Sequence, residues 1–153
     1  RVLSNFEQNM NNQLKFKKTS KYEKANKDRI QFKLNYPIGL LGDNIEIHFL
    51  HYYDENESLD KWNRRKDRMN WVNLYFVFSE RDLCEPRHIK KFDELNLPNK
   101  VCFTANNYSD LVSTIWIKEY ENDGEVGDIY TYNNLVNKYF DPVKWINNKE
   151  YKL

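Results

Sequence analysis

The chain has 153 residues, a length typical of one domain, and its formal net charge is only +1. Hydrophobic residues make up 40% of it and aromatic residues 16%, which excludes a wholly disordered chain. The small charge excludes a strongly basic nucleic-acid clamp, and no apolar run approaches the roughly 20 residues of a membrane span. We expect the two cysteines, Cys84 and Cys102, to be reduced thiols in the cytoplasm.

An apolar stripe at helical spacing opens the chain and predicts a helix over residues 2–14. Its members are Val2, Leu3, Phe6, Met10 and Leu14. The predicted helix has no N-terminal capping signal, and its stripe would be an exposed apolar patch unless something covered it. We expect a segment further upstream, or a second copy of the chain, to cover it. Residues 1–153 are therefore interpreted as a single α/β domain, the C-terminal part of a longer polypeptide.

The first half of the chain continues with two alternating segments, which predict half-buried strands at residues 30–34 and 45–50. Pro37 and Gly42 are typical turn residues and predict a turn between the two strands, over residues 37–44. Asp54 and Glu57 then form a capping arrangement ahead of a helix whose apolar side includes Trp62.

The second half opens with an apolar run at residues 74–78, typical of a strand that is covered on both faces. Pro86 predicts the first position of a helix, because its fixed φ suits a helix start. Two more short strands and two short helices are predicted, at residues 101–103, 114–117, 133–140 and 142–147.

This alternation of strands and helices predicts parallel strand pairs joined by helical crossovers. The fold class we expect is α/β and three-layered, with a mixed, largely parallel central sheet and flanking helices, as in Rossmann-like proteins. Its core should consist of mutually connected, largely buried aromatic residues around that sheet. These are Trp62, Phe76, Phe78, Phe92, Phe103 and Trp116.

Ligands of open α/β sheets bind outside the carboxyl ends of the strands. That rule selects three segments, at residues 51–53, 79–82 and 104–106, which the expected fold would bring together. Within the last of them, Thr104 and Asn106 are predicted to contact the ligand.

Six blocks of the sequence point to a family. In chain order they are YPIGLLGDNIEIHFLHY, KWNRRKDR, FSERDLC, KVCFTA, VGDIYTY and FDPVKW. Together they resemble a bacterial domain family of unknown function whose members are labelled exopolysaccharide or capsular polysaccharide biosynthesis proteins. The resemblance implies a role in that synthesis. Leu83 departs from the family, which has glycine after the Arg-Asp pair, and the family's opening Asn-Cys-Trp-rich block is absent from this chain.

Arg81 and Asp82 lie in the turn before the helix that starts at Pro86, where free N–H groups favour anions. We expect Arg81 to hold a phosphate or a sugar carboxylate, with Ser79 and Arg87 as further donors. Asp82 is then predicted to be the general base toward a sugar hydroxyl. A purely structural interpretation stands beside this one, in which Asp82 caps the helix and Arg81 pairs with it.

His51 follows its strand directly and is predicted to join the cleft as an acid, a base or a hydrogen-bond donor. His48, three residues earlier, would point to the opposite face of the strand, which disfavours a metal pair. Arg65 is expected to reach the ligand from the following helix. A Cys84 nucleophile paired with His51 is an alternative. No metal motif or glycine-rich phosphate loop is present, so we predict no metal and no cofactor.

The function we expect is that of a transferase-like enzyme acting on a nucleotide-activated sugar or polysaccharide intermediate in the cytoplasm. The alternative is a non-catalytic carbohydrate-binding or assembly module of a larger polysaccharide-synthesis protein. A third interpretation is a hydrolase that uses Cys84 or Asp82. The expected partner is a nucleotide sugar or glycan intermediate, and neither nucleic acid nor a membrane span is predicted.

Overall fold

The computed structural model of the protein describes residues 2–129, 131 and 133–148. The chain divides into two compact units, residues 1–70 and residues 71–153. Each unit has its own three-stranded sheet, antiparallel in the first and parallel in the second. That residues 1–153 form one domain of a longer polypeptide stays a prediction.

The first unit contains a sheet in which the strands neighbour each other in chain order. The strands are β1 (Leu14–Lys17), β2 (Ile38–Leu41) and β3 (Ile45–His48). The helices are α1 (Phe6–Asn11), α2 (Glu23–Gln31) and α3 (Glu55–Asp67), and a single 3-10 turn, Leu3–Asn5, precedes α1.

Local chemistry explains two features of this unit. The carboxylate of Asp54 accepts a hydrogen bond from the Glu57 N–H at 2.8 Å, which confirms the predicted start of α3. Gly39 in β2 lies where two core side chains meet. A Cβ at this position would lie 2.7 Å from Leu14 Cδ1 and 2.8 Å from Phe49 Cε2, so the close approach requires glycine.

The core of the first unit includes part of the N-terminal apolar stripe. Met10 and Leu14 are buried there, and Val2 and Phe6 pack against the same cluster. The predicted continuous helix over residues 2–14 is nevertheless wrong, because α1 ends at Asn11 and Leu14 already pairs with Leu41 in the sheet.

The second unit contains a parallel sheet in the order β4-β5-β6. The strands are β4 (Phe76–Ser79), β5 (Lys100–Thr104) and β6 (Thr114–Trp116). The helices are α4 (Pro86–Asp93), α5 (Asn133–Tyr139) and α6 (Pro142–Asn147), and a 3-10 turn, Lys118–Tyr120, follows β6. The predicted strand–helix–strand connection is confirmed for β4, α4 and β5, with Pro86 at the helix start.

The predicted aromatic core is correct in part. Phe76, Phe92 and Phe103 are buried, whereas Phe78 and Trp116 are only partly buried. Trp62 belongs to the first unit, where its ring meets Phe49, so the six aromatic residues do not form one cluster around one sheet. A buried cluster of the second unit instead joins Phe103 to Val101, Ala105, Ile117, Val126, Val136, Phe140 and Trp145.

The expected three-layer, largely parallel, Rossmann-like sheet is wrong, because the strands form two separate sheets. Residues 30–34 do not form the predicted strand: α2 extends to Gln31, and Phe32 is 61% exposed. Their alternation misleads, since α2 buries none of its residues and therefore carries no apolar stripe. The Gly42–Asn44 turn also joins β2 and β3 directly, which makes them antiparallel. The expectation that β4 is covered on both faces fails as well, since Val77 is 51% exposed.

Candidate functional site

The carboxyl ends of the parallel strands of the second unit form one edge of their sheet. Ser79 at the end of β4 pairs with Phe103, and Thr104 at the end of β5 pairs with Trp116. The loops that leave this edge carry residues 80–85 and 105–113. In open α/β sheets this edge is the usual position of a ligand, and we call it the carboxyl edge.

Glu80 joins two of these loops. Its side chain is buried and its carboxylate accepts four hydrogen bonds. Oε2 accepts from the main-chain N–H groups of Ala105 and Asn106, at 2.8 and 3.0 Å. Oε1 accepts from Asn106 Nδ2 at 3.0 Å and from the Tyr108 hydroxyl at 2.6 Å. Both oxygens are thus satisfied within the protein, and the loop after β5 is tied to the end of β4.

Asp82 has a left-handed backbone conformation, with φ of 57°, which is uncommon for a residue other than glycine. Its N–H donates to Glu125 Oε2 at 2.9 Å. Its own carboxylate is 80% exposed and lies 3.5 Å from Arg81 Nε, in a side chain that is 43% exposed. The loop therefore anchors the backbone of Asp82 and leaves its carboxylate and the neighbouring guanidinium accessible to a ligand.

Cys84 lies on the same loop and is partly buried. Burial raises the pKa of its thiol, and the negative charges of Glu80 and Glu85 raise that pKa further. Because the thiolate is the nucleophilic form of cysteine, these surroundings disfavour nucleophilic catalysis by Cys84.

Polar groups at the start of α4 form hydrogen bonds with one another. The Glu85 N–H donates to His88 Nδ1 at 3.0 Å, and the Cys84 N–H donates to the Arg81 carbonyl at 3.1 Å. Pro86 has no N–H to offer. At the start of α4, the N–H groups of Cys84 and Glu85 are therefore already paired within the protein.

Five of the predicted site residues lie at the carboxyl edge: Ser79, Arg81, Asp82, Thr104 and Asn106. Thr104 is fully buried and its hydroxyl lies 3.4 Å from the Ile115 carbonyl, whereas Asn106 is exposed. Arg87 lies on α4, where its guanidinium forms an ion pair with Glu85 at 2.7 Å.

The two remaining residues, His51 and Arg65, belong to the first unit and line one cavity there. The roles proposed for all of these residues stay predictions.

Sequence reasoning missed three residues that shape the carboxyl edge: Glu80, Tyr108 and Glu125. Glu80 stands inside the selected segment 79–82, and its position directly after the strand predicted at residues 74–78 was the available signal. Tyr108 and Glu125 are distant from it in sequence, and no spacing pattern links them to it. Burial, and then the hydrogen bond to Glu80, raise the pKa of Tyr108.

Trp116 adds an aromatic ring to this edge. Its indole Nε1 donates to the Ala105 carbonyl at 3.0 Å, and the ammonium of Lys118 lies 5.2 Å from the ring centroid.

In the described part of the chain, no three His, Cys, Asp or Glu side chains are grouped to hold a metal ion. The helices within the same residues include none that is long and apolar enough to cross a membrane.

These features define an α/β protein with a small parallel sheet and a polar carboxyl edge. The chain belongs to the family described as Domain of unknown function (DUF1919), which matches residues 1–147. It is also similar to a protein of Haemophilus influenzae described as "Uncharacterized protein", with 39% identity over 122 residues. That similarity covers 77% of the chain but only 59% of the relative, so the chain spans about three fifths of the relative's length. Membership of a domain family of unknown function is thereby confirmed, and the link to exopolysaccharide synthesis stays a prediction.

Proposed function

We propose that the protein is a transferase-like enzyme that acts on a nucleotide-activated sugar or a polysaccharide intermediate, with Asp82 as its general base. The observation that carries the proposal is the conformation of Asp82. Its left-handed backbone is anchored by Glu125 and its carboxylate is 80% exposed at the carboxyl edge. Backbone conformations of this kind concentrate at functional sites, where the surrounding structure maintains them.

The chemistry assigned to Asp82 is the removal of a proton from an acceptor hydroxyl. The hydroxyl oxygen forms a bond to the anomeric carbon of the donor sugar while the bond from that carbon to the phosphate oxygen breaks. The proton passes to the Asp82 carboxylate, and the nucleotide phosphate leaves. The guanidinium of Arg81, beside Asp82, supplies a positive charge for the phosphate.

Two further residues support a saccharide as the ligand. Asn106 is exposed, and its main-chain N–H and its amide both donate to Glu80, which fixes its orientation. Trp116 contributes an aromatic ring, a surface on which the C–H groups of sugars pack. A polar side chain of fixed orientation and an aromatic ring suit a ligand that is polar at its edges and apolar on its faces.

A second candidate is a non-catalytic carbohydrate-binding or assembly module of a larger polysaccharide-synthesis protein. The hydrogen bonds of Glu80 favour it, because this second carboxylate of the edge has four donors and is buried. The exposed carboxylates that remain on the loop after β4 are Asp82 and Glu85, and Glu85 already forms an ion pair with Arg87. In either role we propose that the protein acts in the cytoplasm, in agreement with the free thiols of Cys84 and Cys102.

The test is a turnover assay on a panel of UDP-, GDP-, CMP- and dTDP-sugars with glycan acceptors, in which nucleotide release is measured. Asp82→Asn should reduce turnover by about 100-fold or more, as expected for the loss of a general base. The matched control is Glu94→Gln, which removes an exposed carboxylate of the same unit outside the loops of the carboxyl edge and should leave turnover unchanged. Equal turnover of the Asp82→Asn variant and the unchanged protein contradicts the proposed role. Glycan binding without turnover, unaffected by Asp82→Asn, identifies the binding module instead.

A further inference from the structure

The first unit contains a cavity of about 480 Å³ that the proposed function does not use. It lies between the chain that leaves β3, residues 47–52, and one face of α3. Its volume falls within the range of about 300–1,000 Å³ that is typical of small-molecule sites. A folded macromolecule is therefore too large an occupant, and a small molecule or a single chemical group fits.

Aromatic rings form the inner wall of the cavity. Phe49 packs edge-on against Trp62, with ring centroids 6.3 Å apart and an interplanar angle of 87°. It also meets Tyr52 at 6.0 Å, again nearly edge-on. Met69 and Met10 complete the apolar part of the lining. Such a wall packs well against a flat, apolar ring.

Basic side chains surround this wall. Lys61, Arg65 and Lys66 project from α3 into the lining, and His51 faces them from the loop after β3. In the part of the chain that the structure describes, no aspartate or glutamate lines the cavity. Among the described residues, none of these three cations forms an ion pair with a carboxylate. The guanidinium of Arg65 lies over the Tyr52 ring, 5.9 Å from its centroid, at the junction of the apolar and basic parts.

We propose that this cavity binds a small aromatic anion, with its ring against Phe49, Tyr52 and Trp62 and its anionic group at Arg65 and Lys66. The basic last turn of α3 supports a specific role for these two residues. Cations anywhere in the last turn of a helix interact favourably with its C-terminus, and Arg64 in this turn does so without lining the cavity. The helix C-terminus alone therefore does not explain why Arg65 and Lys66 are basic on the face that lines the cavity. The inference is independent of the proposed function, because it concerns another unit and other residues.

The probe is the fluorescent aromatic sulfonate anilinonaphthalene sulfonate (ANS), which combines a flat ring system with one negative charge. Its uncharged analogue, N-phenylnaphthylamine, tests the apolar wall alone. We expect the unchanged protein to bind ANS more tightly than the uncharged analogue. Increasing salt should weaken ANS binding and leave the analogue unaffected.

Two matched double variants locate the anion. Arg65→Gln with Lys66→Gln should raise the ANS dissociation constant about tenfold or more, with little effect on the uncharged analogue. Arg64→Gln with Arg68→Gln removes the same charge from α3 and the residue that follows it, outside the cavity, and should leave ANS binding unchanged. Far-UV circular dichroism and the urea midpoint establish that both double variants are folded.

Competition distinguishes the two sources of an aromatic anion. Displacement of ANS by UMP, with no displacement by naphthoate, identifies a nucleotide phosphate, and the reverse result identifies an aromatic carboxylate. Displacement by neither overturns the proposal. It is also overturned if both double variants weaken ANS binding equally, because the effect then reflects total charge, or if the cavity variant binds ANS as tightly as the unchanged protein does.

Discussion

Among the described residues, Glu46 of the first unit and Glu80 of the second have buried side chains, and the two carboxylates are stabilised differently. Glu46 in β3 of the first unit has a fully buried side chain, and one of its partners is the Lys17 ammonium at 3.0 Å. Glu80, at the end of β4 in the second unit, accepts four hydrogen bonds from neutral donors of the loop after β5. The first carboxylate is balanced partly by a cation, and the second wholly by dipoles.

The partners of Glu46 come from distant parts of the first unit. Besides Lys17, the Ser20 hydroxyl and the Lys21 N–H donate to it. His48 Nε2 lies 2.7 Å from Oε1 and must be the donor, because a carboxylate can only accept. Burial raises the pKa of Glu46, but the hydrogen bonds outweigh it and lower that pKa to about 2.

The comparison shows two uses of a buried acid. Glu46 joins the chain before α2 to the antiparallel sheet, and because its pKa is lowered in the folded protein, its contribution to stability depends on pH. Glu80 joins the loops of the carboxyl edge through partners that are neutral at ordinary pH. Its contribution is the position of those loops, and hence of Asn106 at the candidate site.

The largest effect is expected for Glu80→Ala. It leaves four donors without their acceptor, two of them main-chain N–H groups, and should lower the free energy of unfolding by about 3–6 kcal/mol. Urea denaturation followed by far-UV circular dichroism measures the loss. Glu121→Ala, which removes an exposed glutamate of the same unit, should cost less than about 0.5 kcal/mol. Similar losses for the two variants contradict the role assigned to Glu80.

Some features of the fold follow from local chemistry, whereas others depend on pairing between segments that are distant in sequence. This difference explains which parts of the fold could be predicted from the sequence. The start of α3 at Asp54 and of α4 at Pro86 follow from local chemistry and were predicted correctly. Helix α2 buries no residue, so neither its type nor its extent has a periodic signal. The separation into two sheets depends on pairings between distant segments, such as Leu14 with Leu41, which no local pattern specifies.

The candidate site could be predicted to a similar extent. The position of the loop after β4 follows from the rule for carboxyl ends of parallel strands, and Arg81 and Asp82 do lie there. The rule failed for His51, because it follows a strand of the antiparallel sheet. Tyr108 and Glu125 reach Glu80 and Asp82 only through the tertiary structure, so sequence spacing contains no information about them.

The second prediction concerns the loss of stability at acid pH. The pKa of Glu46 is about 2 in the folded protein against an ordinary value of 4.5, so its stabilisation is complete above pH 4.5. It is lost as the pH falls from 4.5 toward 2, and the loss should amount to about 2–3 kcal/mol. Urea midpoints measured at several pH values across this window give the dependence for the unchanged protein.

Two variants assign this acid dependence to one residue. Glu46→Gln cannot titrate at this position and should show a flatter dependence between pH 4.5 and 2. Glu23→Gln removes a glutamate of the same unit whose side chain is 81% exposed and should keep the dependence of the unchanged protein. An unchanged slope in the Glu46→Gln variant places the acid sensitivity elsewhere.

The smallest effect is expected for Tyr108→Phe, which removes one of the four donors to Glu80 and leaves the ring in place. The phenol donates at 2.6 Å to a buried carboxylate, so its loss should cost about 1–2 kcal/mol. The second unit offers a matched pair of the same chemistry at its surface. The Tyr139 hydroxyl donates at 2.7 Å to Glu119, in a side chain that is 35% exposed.

Because water replaces a lost donor at an exposed carboxylate, Tyr139→Phe should cost clearly less stability than Tyr108→Phe. The two bonds share donor type, acceptor type and nearly the same length, so the difference between the two losses measures the effect of burial around Glu80. Urea denaturation of both variants under identical conditions gives that difference directly. Equal losses would mean that solvent reaches the Glu80 carboxylate as readily as Glu119, and that its three other donors, rather than its burial, hold the loop after β5 in place.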